Sequence, residues 1–584
     1  MTQDVVPIAD GPALKAVVGA ALRRCGTSRD ALLAVLTDVQ RRLGCLPDEA
    51  VAAIAAAMRL SHGEVAGVVS FYAFFHTEYK GLYDCRLADN IIERHAGNAV
   101  AQERLGSLLK GGLGALDTTS CIGLSDQAPG ALINGEPVPA LCGERLEQVA
   151  HLMGKEIPVA RWPAALCRVK PNIRHTGRIL QQQAWQGEAL KAAMSRGVEE
   201  LLAELERSGL RGMGGAGFPT ARKWRSVREA ASPERVVVCN GDEGEPGTFK
   251  DRALLQRHAD VLFEGMTICA WCVGARQGFV YLRGEYRYLL PMLQRRLAAR
   301  RRAGLLGKDI LGAPGFHFDI QLRLGAGAYV CGEESALLES LEGKRGIPRP
   351  RPPYPVEAGF QDAPTVVNNV ETLSAACLVA VHGGAWYASV GTTASKGTKL
   401  FSVSGDCSRP GVYELPMGTT LQQLLQLAGA RRTMAVQMGG ASGALVAPAD
   451  FGEPIAFEAL PPGGSVMVFD ESRSVSGIAH NFASFFAHES CGFCTPCRVG
   501  TRLQRDLIHK FTTGHGGAAD LAELKELGLL MGEASHCGLG QSAGRAVGDA
   551  LQHFPDHFPI AAQSAFVDLN DALEQARALR QAGG

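Results

Sequence analysis

Neither sign of charge dominates this sequence: 59 lysines and arginines stand against 59 aspartates and glutamates. A basic footprint for nucleic acid or an anionic membrane is therefore missing, and anionic ligands must be met by local groups. Also missing is any apolar run near the ~18 residues a membrane span requires. The first residues, MTQDVVPIADGPALKAVV, lack the basic and apolar blocks of a secretory signal. The expectation is a soluble cytoplasmic protein with no membrane span and no nucleic-acid partner. In a reducing cytosol its 16 cysteines serve metal ligation or core packing rather than disulfides.

What is present is a globular chain of 584 residues, 46% hydrophobic and 20% charged, enough for three or four domains at roughly 150 residues each. Residues 14–60 carry helical periodicity, broken at Gly44-Cys45-Leu46-Pro47. Ser61 to Phe75 reads as a further helix with an aromatic end, and from Gly81 short strands and turns begin, among them Leu132-Ile133-Asn134-Gly135. Prolines 158, 163 and 171 make residues 151–190 a connector.

The stretch Ser208 to Thr220, SGLRGMGGAGFPT, has four glycines within six residues, which lets backbone N–H groups close on a phosphate. Its Gly212-x-Gly214-x-x-Gly217 spacing matches the dinucleotide fingerprint. That fingerprint needs a preceding strand, and Val198, Leu201, Leu202 and Leu205 repeat with a helical period instead. A phosphate cradle outside a regular Rossmann turn is expected.

Downstream, Glu234 to Cys239 reads as a buried strand ending in Asn240-Gly241-Asp242-Glu243-Gly244-Glu245, and acids at the carboxyl end of a parallel strand mark a ligand site. A second glycine-rich stretch runs from Gly325 to Glu334, followed by the stiff proline-rich Pro348 to Pro355 carrying Arg351 and Tyr354. Asn368, Asn369 and Thr372 then supply adjacent polar groups. Segments from Lys399 to Ser474 read as strands around a short helix, Leu421 to Ala428, and Val499 to Phe511 and Leu521 to Met531 are helical.

The strongest metal signal is Cys491-x-x-Cys494-x-x-Cys497 with Cys537 as a distant fourth thiol, the arrangement of a [4Fe–4S] cluster, with zinc as the rival occupant. Cys269-x-x-Cys272 lies in an apolar helical run with no partner pair and reads as packing.

SGLRGMGGAGFPTARKW, CNGDEGEPGTFKDR, GAGAYVCGEESALLESLEGKRGIPRPRPPYP and TVVNNVETL together resemble the flavin- and NADH-binding subunit of respiratory NADH dehydrogenase. NAD-reducing hydrogenases and formate dehydrogenases share that subunit. The resemblance implies that Gly212, Gly214, Lys223, Asn240, Asp242, Glu243, Tyr329, Gly332, Glu333, Asn368, Asn369 and Thr372 hold FMN. It implies further that Phe218 and Tyr354 flank the NAD(H) adenine, and that Glu245, Glu334 and Arg351 face the rest of the dinucleotide. The departures are Met213 where arginine is usual, Arg351 for lysine and Tyr354 for phenylalanine.

The amino-terminal stretch GCLPDEAVAAIAAAMRLSHGEVAGVVSFYAFF resembles the thioredoxin-like [2Fe–2S] subunit of the same enzyme. That family has Cys-x4-Cys and Cys-x3-Cys. Here Cys85 is followed by Asn90 and Cys121 by Ser125, so two thiolates are missing. A docking module without a normal cluster is the expectation. An atypical [2Fe–2S] cluster at Cys85 and Cys121, helped by Ser125, Asp89 or Asp126, stays open.

The implied fold is an α/β multidomain chain. It comprises a helical bundle (1–80), a thioredoxin-like module with a degraded [2Fe–2S] site (81–150), the connector (151–190), a Rossmann-like α/β FMN/NAD(H) domain (191–390), a β-grasp insert (391–475) that braces its neighbours, and a carboxyl-terminal helical [4Fe–4S] domain (476–584). The tail to Gly584 is expected to dock on a partner or on the first module.

The implied function is hydride exchange between NAD(H) and FMN, with electrons relayed through the [4Fe–4S] cluster to or from an iron–sulfur electron-transfer subunit. The fusion resembles the diaphorase subunits of soluble NAD-reducing [NiFe] hydrogenases, so hydrogenase subunits are expected in a hetero-oligomer. The alternatives are the matching subunit of an NAD-dependent formate dehydrogenase or of the respiratory enzyme, or a scaffold without cofactors.

Overall fold

The computed structural model describes residues 11–182 and 185–561. Of the tail to Gly584, residues 562–584 fall outside them; the described part includes the helix Arg545–His553, which packs on the helix Val475–Glu489 and on the strand Ala444–Val446. Four helices come first, Gly11–Cys25, Leu32–Leu43, Asp48–Met58 and His62–Phe71. Gly44 ends the second in the left-handed region at φ 81°, and Pro47 leads into the third. Ser61 and Glu64 cap the fourth reciprocally. The aromatic end foreseen for that helix leaves it at Phe71, because Ala73 and Phe74 donate their backbone N–H groups to Gly327 and Ala326 of the second glycine-rich stretch, at 3.2 and 3.0 Å.

The next module is a four-stranded sheet in the order Gly114–Thr119, Tyr83–Ala88, Ala131–Ile133, Glu136–Val138, the first pair parallel and the others antiparallel. Alternation along Tyr83–Ala88 turns Tyr83, Cys85 and Leu87 into one core with Leu105, Leu146 and Val149. The following connector is more than a linker: its strand Ile173–His175 joins the edge of a sheet formed much later in the chain.

The central domain is built on four parallel strands in the order Asp319–Leu324, Gln277–Leu282, Val236–Gly241, Thr365–Asn369. The long helix Lys250–Val273 and the helix Val370–His382 are buried along nearly their whole length, as elements covering a parallel sheet must be. A six-stranded sheet follows, in the order Ala444–Val446, Thr433–Met438, Ser465–Asp470, Thr398–Gly405, Gly411–Pro416, Ile173–His175, with the helix Leu421–Ala428 capped by Thr420 and Gln423. The last unit is helical: Val475–Glu489, Thr495–Thr512, Ala518–Ala534, Gly538–Ser542 and Arg545–His553.

One buried apolar cluster links these parts, taking in Leu32 and Val68 of the first bundle, Leu337 of the central domain, Met467 of the six-stranded sheet and Phe486 and Ile508 of the last helices. Among the described residues no helix is long and apolar enough to cross a membrane.

Candidate functional site

Parallel pairing aligns Cys239 with Asn368 and Asn240 with Asn369, so two of the motifs singled out in the sequence end side by side at the carboxyl edge of the sheet. The glycine loop arrives from the helix Val198–Ser208, not from a strand, and closes through Gly212 N to the Phe218 carbonyl at 2.8 Å. Thr372 fastens its crown by accepting the Met213 N–H at 2.9 Å. A Cβ would be tight at one place and is excluded at another. A Cβ on Gly214 would lie 3.2 Å from the Asn369 side chain, and Gly217 combines φ 64° with a Cβ position 2.6 Å from the Phe457 ring. Gly214 to Ala216 are left exposed.

Around this loop the polar residues divide into fixed and free. Asn240 donates to the Gly332 carbonyl at 2.8 Å, and Asn368 accepts from Trp224 at 2.8 Å. Asn369 donates to Asp251 at 2.6 Å and stands 3.2 Å from Lys250. Glu243 turns inward. It accepts the N–H groups of Asp251 and Arg252 at the start of the long helix and the Tyr286 hydroxyl, and burial raises its carboxyl. Glu333 caps the helix Glu334–Leu341 through Ser335 and Ala336. Two buried acceptors have no hydrogen-bond partner, Asp242 Oδ2 and Glu333 Oε1. Burial pushes the Asp242 carboxyl up to about 8. Lys223 pairs with Glu334 at 2.8 Å, and Arg351 approaches Glu333 at 3.6 Å.

Phe218 and Tyr354 are 42% and 49% exposed, so both offer ring surface to a ligand. Glu245 is half-buried and fully engaged, accepting the Tyr329 hydroxyl at 2.6 Å and, from Ser442, the N–H at 3.0 Å and the hydroxyl at 3.1 Å. The glycine cradle and the unpartnered oxygens of Asp242 and Glu333 fit a phosphate-bearing polyhydroxyl cofactor such as FMN. Its phosphate would meet backbone N–H groups, and its hydroxyls would satisfy the two acceptors.

Cys491, Cys494, Cys497 and Cys537 line one small cavity with Ser490, Phe493, His536 and Leu539. Among the described residues no three His, Cys, Asp or Glu side chains converge as ligands of a single ion would. Four thiols around one cavity, three of them at Cys-x-x-Cys-x-x-Cys spacing, fit a [4Fe–4S] cluster. The helix Val475–Glu489 ties this cavity to the strand ends. Its Phe485 ring meets Tyr329 edge-on at 4.8 Å, and Glu489, two residues before Cys491, accepts the Tyr329 N–H at 3.2 Å and the Ser120 hydroxyl at 2.6 Å.

The site with two missing thiolates does not fit an ordinary [2Fe–2S] cluster, which takes four thiolates. Cys85 is sealed in the module's apolar core, Asn90 spends its oxygen capping the helix Ile91–His95, and two of the three substitutes foreseen are committed to arginines. Asp89 pairs with Arg94 at 2.7 Å, Asp126 with the wholly buried Arg252 at 2.9 Å, and Ser125 Oγ is buried without a partner. Cys269 and Cys272 sit in the long helix with no exposure, and burial raises both thiols, as expected of packing residues.

Sequence reasoning missed Ser442, Glu489, Lys399 and Lys250. Lys399 reaches from the six-stranded sheet to Glu371 at 2.5 Å and to the Met213 carbonyl at 3.2 Å; Lys250 meets Glu371 at 2.9 Å. Only Glu489, beside the cysteine run, and Lys250, inside a quoted motif, left a local signal.

Four family models match: the Nuo51 FMN-binding domain over residues 205–377, the NADH-ubiquinone oxidoreductase-F iron-sulfur binding region over 477–560, the thioredoxin-like [2Fe-2S] ferredoxin over 18–153 and the SLBB domain over 400–442. The NAD-reducing hydrogenase HoxS subunit alpha of Cupriavidus necator is 39% identical over 556 residues, 92% of each chain. The F subunit of the NADH-quinone oxidoreductase of Aquifex aeolicus is 40% identical over 398 residues, 67% of this chain and 92% of its own. A solved structure, the NAD+-reducing [NiFe]-hydrogenase in the H2-reduced state, superposes with a TM-score of 0.87 at 42% identity, covering 95% of this chain and 97% of that one.

Proposed function

The chain belongs to the family that unites the alpha subunit of NAD-reducing hydrogenase with the F subunit of NADH-quinone oxidoreductase, and from that premise we propose how its residues divide the work. It is an NAD(H):acceptor oxidoreductase subunit. FMN, when bound, exchanges a hydride with the nicotinamide and releases electrons one at a time. The protein's task is to hold the two rings together and to keep a one-electron acceptor near.

Gly212, Gly214, Lys223, Asn240, Asp242, Tyr329, Gly332, Glu333, Asn369 and Thr372 build the flavin cradle, while Glu243 and Asn368 act behind it by fixing the long helix and Trp224. Phe218 and Tyr354 flank the adenine. Glu334 and Arg351, free to exchange their present ion pairs, meet the polar parts of the dinucleotide together with Glu245. Cys491, Cys494, Cys497 and Cys537 hold the cluster. The module with Cys85 and Cys121 carries no step.

The observation that bears most weight is the Tyr329–Glu489 hydrogen bond with the Tyr329–Phe485 contact. Through them the second glycine-rich stretch is fastened to the helix that delivers the cysteines. The partner is an iron–sulfur electron-transfer subunit in a hetero-oligomer with hydrogenase subunits. A cytoplasmic location agrees with all sixteen cysteines being free.

Purified protein is expected to show a flavin absorption band, to drive NADH-dependent reduction of an artificial acceptor and to copurify with nickel-bearing subunits. Molybdenum in place of nickel would point to a formate dehydrogenase, and a colourless inactive protein to a scaffold. Glu334→Ala should raise the NADH requirement with iron content intact; loss of iron would mean that Glu334 is misassigned.

A further inference from the structure

The sequence alone casts the β-grasp insert as a brace for its neighbours, yet the insert sends a loop to the dinucleotide side of the site. After the strand Thr433–Met438 the chain turns through Gly439, Gly440, Ala441, Ser442 and Gly443, with φ 82° and 71° at the first two glycines. A Cβ on Gly440 would lie 2.4 Å from the Glu245 side chain, so glycine is what permits the approach. Ser442 then gives two hydrogen bonds to Glu245, at 3.0 Å from its N–H and 3.1 Å from its hydroxyl, and the same hydroxyl lies 2.7 Å from that of Tyr329. The far side of the loop is anchored on the last helical unit, where Asp549 accepts the Leu445 N–H at 2.9 Å.

We propose that Ser442 is a positioning residue of the NAD(H) site, setting the carboxylate of Glu245 from a domain outside the flavin fold. This rests on Glu245 facing the dinucleotide. With three donors the carboxylate is held in one orientation. Without the serine hydroxyl it is held by two and competes with water, so the loss falls on dinucleotide binding more than on turnover. Glu245 also touches Tyr329, whose backbone meets Glu489, so the insert, the flavin domain and the cysteine-bearing helix share one hydrogen-bonded chain.

The test uses the full-length, cofactor-loaded protein with Ser442→Ala, Ser442→Thr, Glu245→Gln and the Ser442→Ala/Glu245→Gln pair. Ser442→Ala is expected to raise KM for NADH, and the calorimetric Kd for NAD+, about fivefold to tenfold, with kcat within about twofold and flavin and iron content unchanged. Ser442→Thr, which keeps the hydroxyl, should recover most of that loss, and the double variant should be no worse than Glu245→Gln alone. If Glu245→Gln weakens binding while Ser442→Ala does not, the positioning role fails and the place of Glu245 stands. If Glu245→Gln leaves both constants unchanged, the place of Glu245 itself is wrong. If Ser442→Ala loses flavin and unfolds at lower temperature, or Ser442→Thr is equally impaired, the loop only supports the fold and the proposal is overturned.

Discussion

Cys537 is the thiol furthest in sequence from the other three and lies with them around one cavity, so its replacement tests the whole metal assignment. Cys537→Ser is expected to lower iron by about four atoms per chain and to abolish the cluster's electron-paramagnetic signal while flavin stays bound. Cys269→Ala, in the apolar helix, should change neither. A second residue-scale test is Glu93, which is fully buried, accepts the Gly130 N–H at 2.8 Å through one oxygen and leaves the other unpartnered. Burial pushes its carboxyl from 4.5 up to about 8. Its folded state therefore holds a proton that the unfolded chain has already lost above pH 4.5, and stability present below that value is lost as pH rises towards 8. Glu93→Gln should flatten this decline, read as a smaller fall in unfolding temperature between pH 5 and 8. The four cysteines were legible because their spacing is itself the signal. Ser442 was not, because a serine in a glycine turn acquires its partners only through contacts more than a hundred residues away, and the neighbouring cysteines marked the place of Glu489 but not its partners.

Among elements, the seam between the first helical bundle and the central domain is made by backbone pairing of 73–74 with 326–327. Gly327 sits there at φ 79°, and a Cβ on it would be 2.5 Å from the Phe74 ring. Gly327→Ala is expected to cost about 2 kcal/mol or more by strain and overpacking. Thermal unfolding and faster protease release of the amino-terminal bundle would show it. The elements themselves were largely readable. The break at Gly44, the helix before the glycine loop and the helix Leu421–Ala428 all declared themselves by period and by cap. The strand Ile173–His175 did not, since three residues carry no period and their partner strand could not be named from the sequence. The end of the fourth helix was hidden for the same reason: Ala73 and Phe74 leave it for acceptors in another domain.

At the scale of the molecule, the thioredoxin-like module is retained although its site lacks two of four thiolates, and one ion pair explains part of its hold. Arg252 and Asp126 have no exposed side-chain surface, and they join the start of the long helix to the segment that carries Ser125. Asp126→Asn leaves a buried guanidinium without its counter-charge and is expected to cost about 3–5 kcal/mol. Replacing both partners by apolar residues should recover most of that loss, and denaturant titration of the two variants decides it. The kinds of domain followed from the motifs, whereas the contacts that bind them together are between side chains no local pattern connects.

The added edge strand has a consequence for how the protein is made. Arg174 meets the carbonyl of Pro410, 236 positions later, and the strand Ile173–His175 has no ladder until Gly411–Pro416 exists. During synthesis this short edge must therefore leave the ribosome and wait while the entire flavin-binding domain is translated. The insert's sheet is closed by a piece made long before it, so excising or transplanting the insert would strand one border on each side of the cut.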